Sequence, residues 1–279
     1  MAFTNVTPAT GGGSLTYQWE SSPDNSTWTT IPGATSALYA AGSIATNTYF
    51  RRMAFSTMGT SVCSDPSNSV LVTAIIFNPG TLGPDQTVCE SGDPAAIGTT
   101  APTGSGAYGY GYQWKISTDG VNFSNIAGAT TDSFDPGALL TDTWYKREVT
   151  ATFMTKACVE ETNAVRISVN NFTPGSIGSD QTICEATSPS ALTSVAPSGD
   201  GSFTYSWESS PNGTAWTPLG VATATYAPGP LSANTYYRRE VISLLNGVSC
   251  SKYTNTVLIT VNSFDPGTIG SAQVICENT

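Results

Sequence analysis

No histidine occurs anywhere in the 279 residues, and charged side chains make up only 11% of them, against about 25% in an average soluble protein. Without histidine there are no imidazole-based triads, and the commonest general base and metal ligand is missing. The carboxylates are scattered through turns and do not recur as the facing pair that glycoside hydrolysis needs. We therefore expect neither an enzyme nor a cofactor. Ten Lys and Arg against twenty Asp and Glu leave a net charge of −10, which opposes binding to phosphate backbones and anionic bilayers. Nucleic acid is not an expected partner. No apolar run approaches the ~20 residues of a membrane span, so membrane insertion is not expected either. The N-terminus lacks a basic stretch leading into an apolar one. The sequence reads as a fragment whose targeting signals lie elsewhere.

What the chain does have is repetition. The segment opening Phe77-Asn-Pro-Gly returns at Phe172 and again at Phe264, at steps of 95 and 92 residues. Trp19, Trp114 and Trp207 keep nearly the same step, as do Tyr39, Phe134 and Tyr226, Arg52, Arg147 and Arg239, and Cys63, Cys158 and Cys250. A fixed period of this kind marks a tandem array. We divide it into units 1–91, 92–186 and 187–279.

Within each unit, short alternating segments separated by turn residues predict strands, and no helical period is sustained. The Tyr-x-Trp pairs ending at Trp19, Trp114 and Trp207 place aromatics on one face of a strand. Asp24-Asn25, Asp119-Gly120 and Asn212-Gly213 then predict a tight hairpin turn. A doubly basic strand follows. Its inward Arg52, Arg147 and Arg239 should be half-buried against the tryptophan, and its outward Arg51, Lys146 and Arg238 should face Glu20, Lys115 and Glu208, with Glu148 compensating in the second copy. Val70, Val165 and Val257 begin a last strand with an apolar inner face. About seven strands per unit, with a tryptophan in the third, is the pattern of an immunoglobulin-like β-sandwich. The fold expected is all-β: tandem immunoglobulin-like sandwich modules.

The combination of Pro-Gly-[Thr/Ser]-Ile-Gly-Ser-x-Gln-x-Ile-Cys, Tyr-x-Trp, Thr-Tyr-Tyr-Arg-Arg and Thr-Val-Leu-Ile-Thr-Val resembles the Ig-like repeats of giant cell-surface adhesins of gliding Bacteroidota, the SprB type. The resemblance covers essentially the whole chain. It implies export through the type IX system, an extracellular location on the bacterial cell surface, and a role in adhesion or gliding. It supplies no ligand and no binding residue.

Six cysteines at recurring positions, none in a CxxC arrangement, read as disulfides. Two pairings compete. Cys63 with Cys89, Cys158 with Cys184 and Cys250 with Cys276 gives a constant spacing of 26 and is preferred. Cys89 with Cys158 and Cys184 with Cys250 is the alternative. Asp85 and Asp180 precede the second cysteine, but Ala272 replaces them in the third copy and no Asp-x-Asp run is present, so turn capping is expected in place of calcium. Trp28, Phe123 and Trp216 recur at one position. They pack between sheets or, pointing outward, form a sugar-stacking platform. Two functions follow: stalk modules whose partners are the neighbouring repeats of the same long chain, or modules that bind surface glycans through these aromatics and loops such as 106–111.

Overall fold

The computed structural model describes residues 2–3, 7–104, 108–193, 195–275 and 277. Every regular element among the described residues is a strand. Three sandwiches follow one another, and the second shows the plan most completely. Its principal sheet is built on the tryptophan strand, Gly109–Ser117, paired antiparallel along its whole length with the arginine strand, Thr143–Phe153. The chain turns at Met154 and returns beside the arginine strand in two pieces. The first is the cysteine strand, Lys156–Glu161. The second is the closing strand, Val165–Asn170. Beyond the closing strand lies the leading strand, Gln86–Cys89, running parallel to it with Val88 beside Val169 and Cys89 beside Asn170. The opposing layer is lighter. Phe77–Asn78 pairs with Thr103–Gly104, and single bridges join Leu82 to Thr99 and Ile97 to Phe134. This is an immunoglobulin-like sandwich, with a parallel leading segment closing the edge of the sheet.

Alternation fills the space between the layers. Trp114, Tyr145, Val165 and Ile167 point inward from the main sheet and meet Leu82 and Ile97 from the other. The third unit repeats this with Trp207, Tyr237, Val257 and Ile259 against Ile177 and Leu192. Trp19, Trp114 and Trp207 are buried, as expected, and the indole N–H of each donates to a carbonyl of the following loop: Ser36, Thr131 and Thr223 respectively. In the first unit, Phe3 stacks on Trp19 at 5.4 Å and completes a smaller aromatic core with Tyr39 and Phe50.

Strand pairing places the unit boundaries differently from the sequence reading. Residues 77–89, which we assigned to the end of the first unit, pair within the second. They also contribute Leu82 and Val88 to its core. Likewise, residues 172–184 belong to the third. The sandwiches thus begin at Phe77 and Phe172 instead of 92 and 187. Two local expectations also change. The loop after Ser22 runs six residues, 23–28, before the next strand, so it is not a tight hairpin. Asp24 Oδ1 instead accepts the N–H groups of Ser26 and Thr27 at 2.8 and 2.7 Å. Asp85 and Asp180 cap no turn of their own: they accept the backbone N–H of Arg166 and Leu258 across the sheet edge, at 2.7 and 2.8 Å.

Candidate functional site

The arginine strand carries two cations per unit, on opposite faces. The inward ones are buried further than expected. Arg147 and Arg239 are fully enclosed and Arg52 nearly so. Each guanidinium lies over a tyrosine of the neighbouring strand, Arg52 over Tyr17 at 4.4 Å, Arg147 over Tyr112 at 4.9 Å and Arg239 over Tyr205 at 4.8 Å. Arg147 also donates to the carbonyls of Asp132, Pro79 and Thr100, tying three loops to one head group. Desolvation lowers the pKa of Arg147 and Arg239 from the ordinary arginine value.

The ion pairs expected of Glu20, Glu208 and Glu148 form on the outer face, and in the second unit Glu161, which the sequence reading did not single out, joins them and takes Lys146. Arg51 meets Glu20 at 2.7 Å and Arg238 meets Glu208 at 2.6 Å. In the second unit Lys115 bridges Glu148 and Glu161, and Lys146 joins the same Glu161. Those two lysines hold the Glu161 carboxyl below its ordinary pKa. Trp28, Phe123 and Trp216 lie half-buried on this outer face. Arg51, Lys146 and Arg238 sit over their rings at 4.2, 4.3 and 4.2 Å, so one π-face of each ring is covered by a cation of its own unit.

The junction between the second and third units concentrates a different chemistry. The leading strand delivers Cys89 to the far end of the second sandwich, beside Asn170 at the end of the closing strand. The third unit presents there the hairpin formed by its arginine strand and the cysteine strand Val248–Tyr253, in which Cys250 pairs opposite Ser243. Cys89 and Cys250 form a disulfide across the junction, with Cα atoms 5.6 Å apart. Beside it, buried Asn170 donates from Nδ2 to the Ser243 carbonyl at 3.0 Å, and Ser243 Oγ donates back to Asn170 Oδ1 at 2.8 Å. Asn246 at the hairpin tip donates to Thr87 Oγ1. At the rim, Lys252 pairs with Glu90 and donates to the Phe172 carbonyl.

This disulfide corrects both expected pairings. Cys63, Cys158 and Cys184 are free thiols, each exposed, and Cys276 lies outside the described residues. The reason is directional. Within one sandwich the leading strand carries its cysteine to the end that faces the next unit, whereas the hairpin carries its cysteine to the end that faces the previous one. Cys89 and Cys158 therefore stand at opposite ends of the second unit. Cys158 and Cys184 are further apart still, with the third unit's sandwich between them. The parallel course of the leading strand was the missing signal, and spacing alone does not reveal it.

Three comparisons with known proteins bear on this array. The sequence profile described as a domain of unknown function (DUF8696) matches residues 2–75, 78–171 and 173–263. In structure the chain is similar to a crystal structure of domains A168-A170 from titin, at 15% identity and a TM-score of 0.33, with 91% of each chain covered. It is also similar to Sidekick-1 immunoglobulin domains 1-5, at 13% identity and a TM-score of 0.25, covering 90% of this chain and 52% of that one. No curated protein sequence matches.

Proposed function

Because the chain belongs to the DUF8696 family, with each of its three units matching that domain, we propose that it is a length of stalk from a bacterial cell-surface adhesin, holding a binding tip away from the cell and transmitting tension. Structural repeat modules are what the chain consists of; the adhesive setting is the proposal. The observation that carries it is the Cys89–Cys250 disulfide between consecutive units, which clamps their junction covalently. A disulfide of this kind fits an oxidising, extracellular environment. Neighbouring repeats are then the principal partners, and the work done is mechanical.

Single-molecule pulling from the two termini tests this. With the disulfide intact, the 161-residue separation between its cysteines keeps roughly 550 Å of contour length, at about 3.4 Å per residue, from being extended. Reduction should release that length and lower the force at which the second and third units open. Full extension at low force under oxidising conditions would contradict a tension-bearing role.

A further inference from the structure

The two segments that the disulfide joins both run along the array, from the near end of one sandwich to the far end. In the second unit the chain starts at Phe77, whose ring lies 6.1 Å from that of Tyr110 at the end facing the first unit. It finishes at Cys89, the last residue of the leading strand, at the end facing the third. In the third unit the chain leaves Cys250 and does not turn back. Val248–Tyr253 and Val257–Asn262 lie antiparallel to the same arginine strand, and Val248 to Ile259 covers Leu245 to Thr235 with one residue to spare. The returning chain is already close to fully extended.

Without the disulfide, tension follows the backbone through both sandwiches. It enters each at the start of its leading strand and leaves at the end of its closing strand. These two strands are parallel, Gln86–Cys89 beside Ile167–Asn170 and Gln181–Cys184 beside Ile259–Asn262. The pull therefore slides one along the other and loads the evenly spaced rungs together, not one after another. Side chains tie the same pair in the third unit. Asp180 Oδ1 accepts the Leu258 N–H, and Asn255 accepts the Ile177 N–H and donates to the Gly178 carbonyl.

With the disulfide, the shortest covalent route is different. It runs from Phe77 to Cys89, across the two sulfurs, and from Cys250 to Asn262. Both tryptophan strands, both arginine strands and the leading strand of the third unit lie outside it. We propose that the Cys89–Cys250 bond is a redox-controlled bypass. Oxidised, it carries tension past the cores of two sandwiches; reduced, it hands the load to their parallel strand pairs. The bypass builds on the tension-bearing role proposed above and adds the route that the tension takes. A dithiol reductant throws the switch: it gives up two electrons and two protons and forms its own disulfide, while Cys89 and Cys250 return to thiols.

Pulling on the whole chain at fixed force tests the bypass by counting steps. The oxidised chain should show one unfolding step, that of the first unit, because the second and third can yield only the slack of two short segments. After dithiothreitol there should be three steps, the two new ones sharing the roughly 550 Å that the 161-residue separation holds back. Cys89→Ser and Cys250→Ser should each give three steps without reductant. Asn255→Ala should raise the rate at which the reduced third unit opens under force severalfold, since forced opening follows the unfolding rate. Asp180→Ala, which removes one tie where Asn255→Ala removes two, should do so more weakly. Neither should alter the oxidised trace, and circular dichroism checks that both fold. A second or third step in an oxidised chain that still resists full extension would overturn the bypass alone. So would a Cys89→Ser chain that keeps a single step, or an Asn255→Ala chain whose reduced third unit opens at the wild-type rate. Full extension of the oxidised chain at low force would overturn the tension-bearing role as well.

Discussion

Arg147 carries its charge into an interior that offers it carbonyls and an aromatic face. Three loops converge on its guanidinium, so a hydrophobe of similar length would fill the space but leave those carbonyls without donors. We expect Arg147→Met to cost about 3 kcal/mol, read as early unfolding of the second unit in urea by tryptophan fluorescence. On the outer face the effect should be smaller. Glu20 and Arg51 are mostly shielded from water, and Glu20→Ala should cost about 1 kcal/mol, near the upper end for pairs of this kind. The loop aspartates separate the units by pH. Backbone N–H groups of Thr27 and Ser26 hold the Asp24 carboxyl well below its ordinary pKa, and backbone and side-chain donors of Asn122 do the same for Asp119. A depressed folded-state pKa stabilises above the ordinary carboxylate range, and the benefit is lost as pH falls below it. The third unit has Asn212 there, accepting from the Thr214 and Ala215 N–H groups without a titratable proton. Amide exchange at Thr27 and Asn122 should therefore accelerate on acidification relative to Ala215.

At the scale of single elements, the hairpin that follows the arginine strand shows what repetition conceals. Its turn has a positive φ at Gly59, Met154 and Asn246. Glycine and asparagine tolerate that region, and a long unbranched side chain is held there against its preference. Met154 is exposed, so Met154→Asn should stabilise the second unit by about 0.5 kcal/mol, measurable as a shift of its urea midpoint. The buried Asn170 and Ser243 at the second junction occupy positions held at the first by Ile75 and Ala151, with Ala151 fully buried. Ser243→Ala alone leaves Asn170 short of a partner and should cost about 1–3 kcal/mol. Adding Asn170→Ile should recover part of that, because the side-chain amide then no longer needs a partner, while the Asp200 carbonyl still lacks the Ser243 hydroxyl; a double-mutant cycle reads the difference. The alternation that placed Trp114, Tyr145 and Ile167 inside, and Glu20 opposite Arg51, was legible because strand periodicity is local. The depth of Arg147 was not, since it depends on carbonyls 15 to 68 residues away.

For the whole molecule, sequence and structure agree on the number of units and differ on where each begins. The constant spacing of 26 between Cys63 and Cys89 favoured a bond within one repeat, but a repeat read along the chain cannot say which sandwich a leading strand joins. That choice is made by Val88 and Leu82, which have a core to enter only in the second unit.

The bond between Cys89 and Cys250 closes a covalent ring through the second sandwich and most of the third. A protease that cuts once anywhere between those residues opens the ring without dividing the molecule. Even if a surface loop is nicked there, the two outer ends stay on one connected piece until a reductant arrives. For a thread exposed to digestive enzymes, that would turn a severing cut into a local wound.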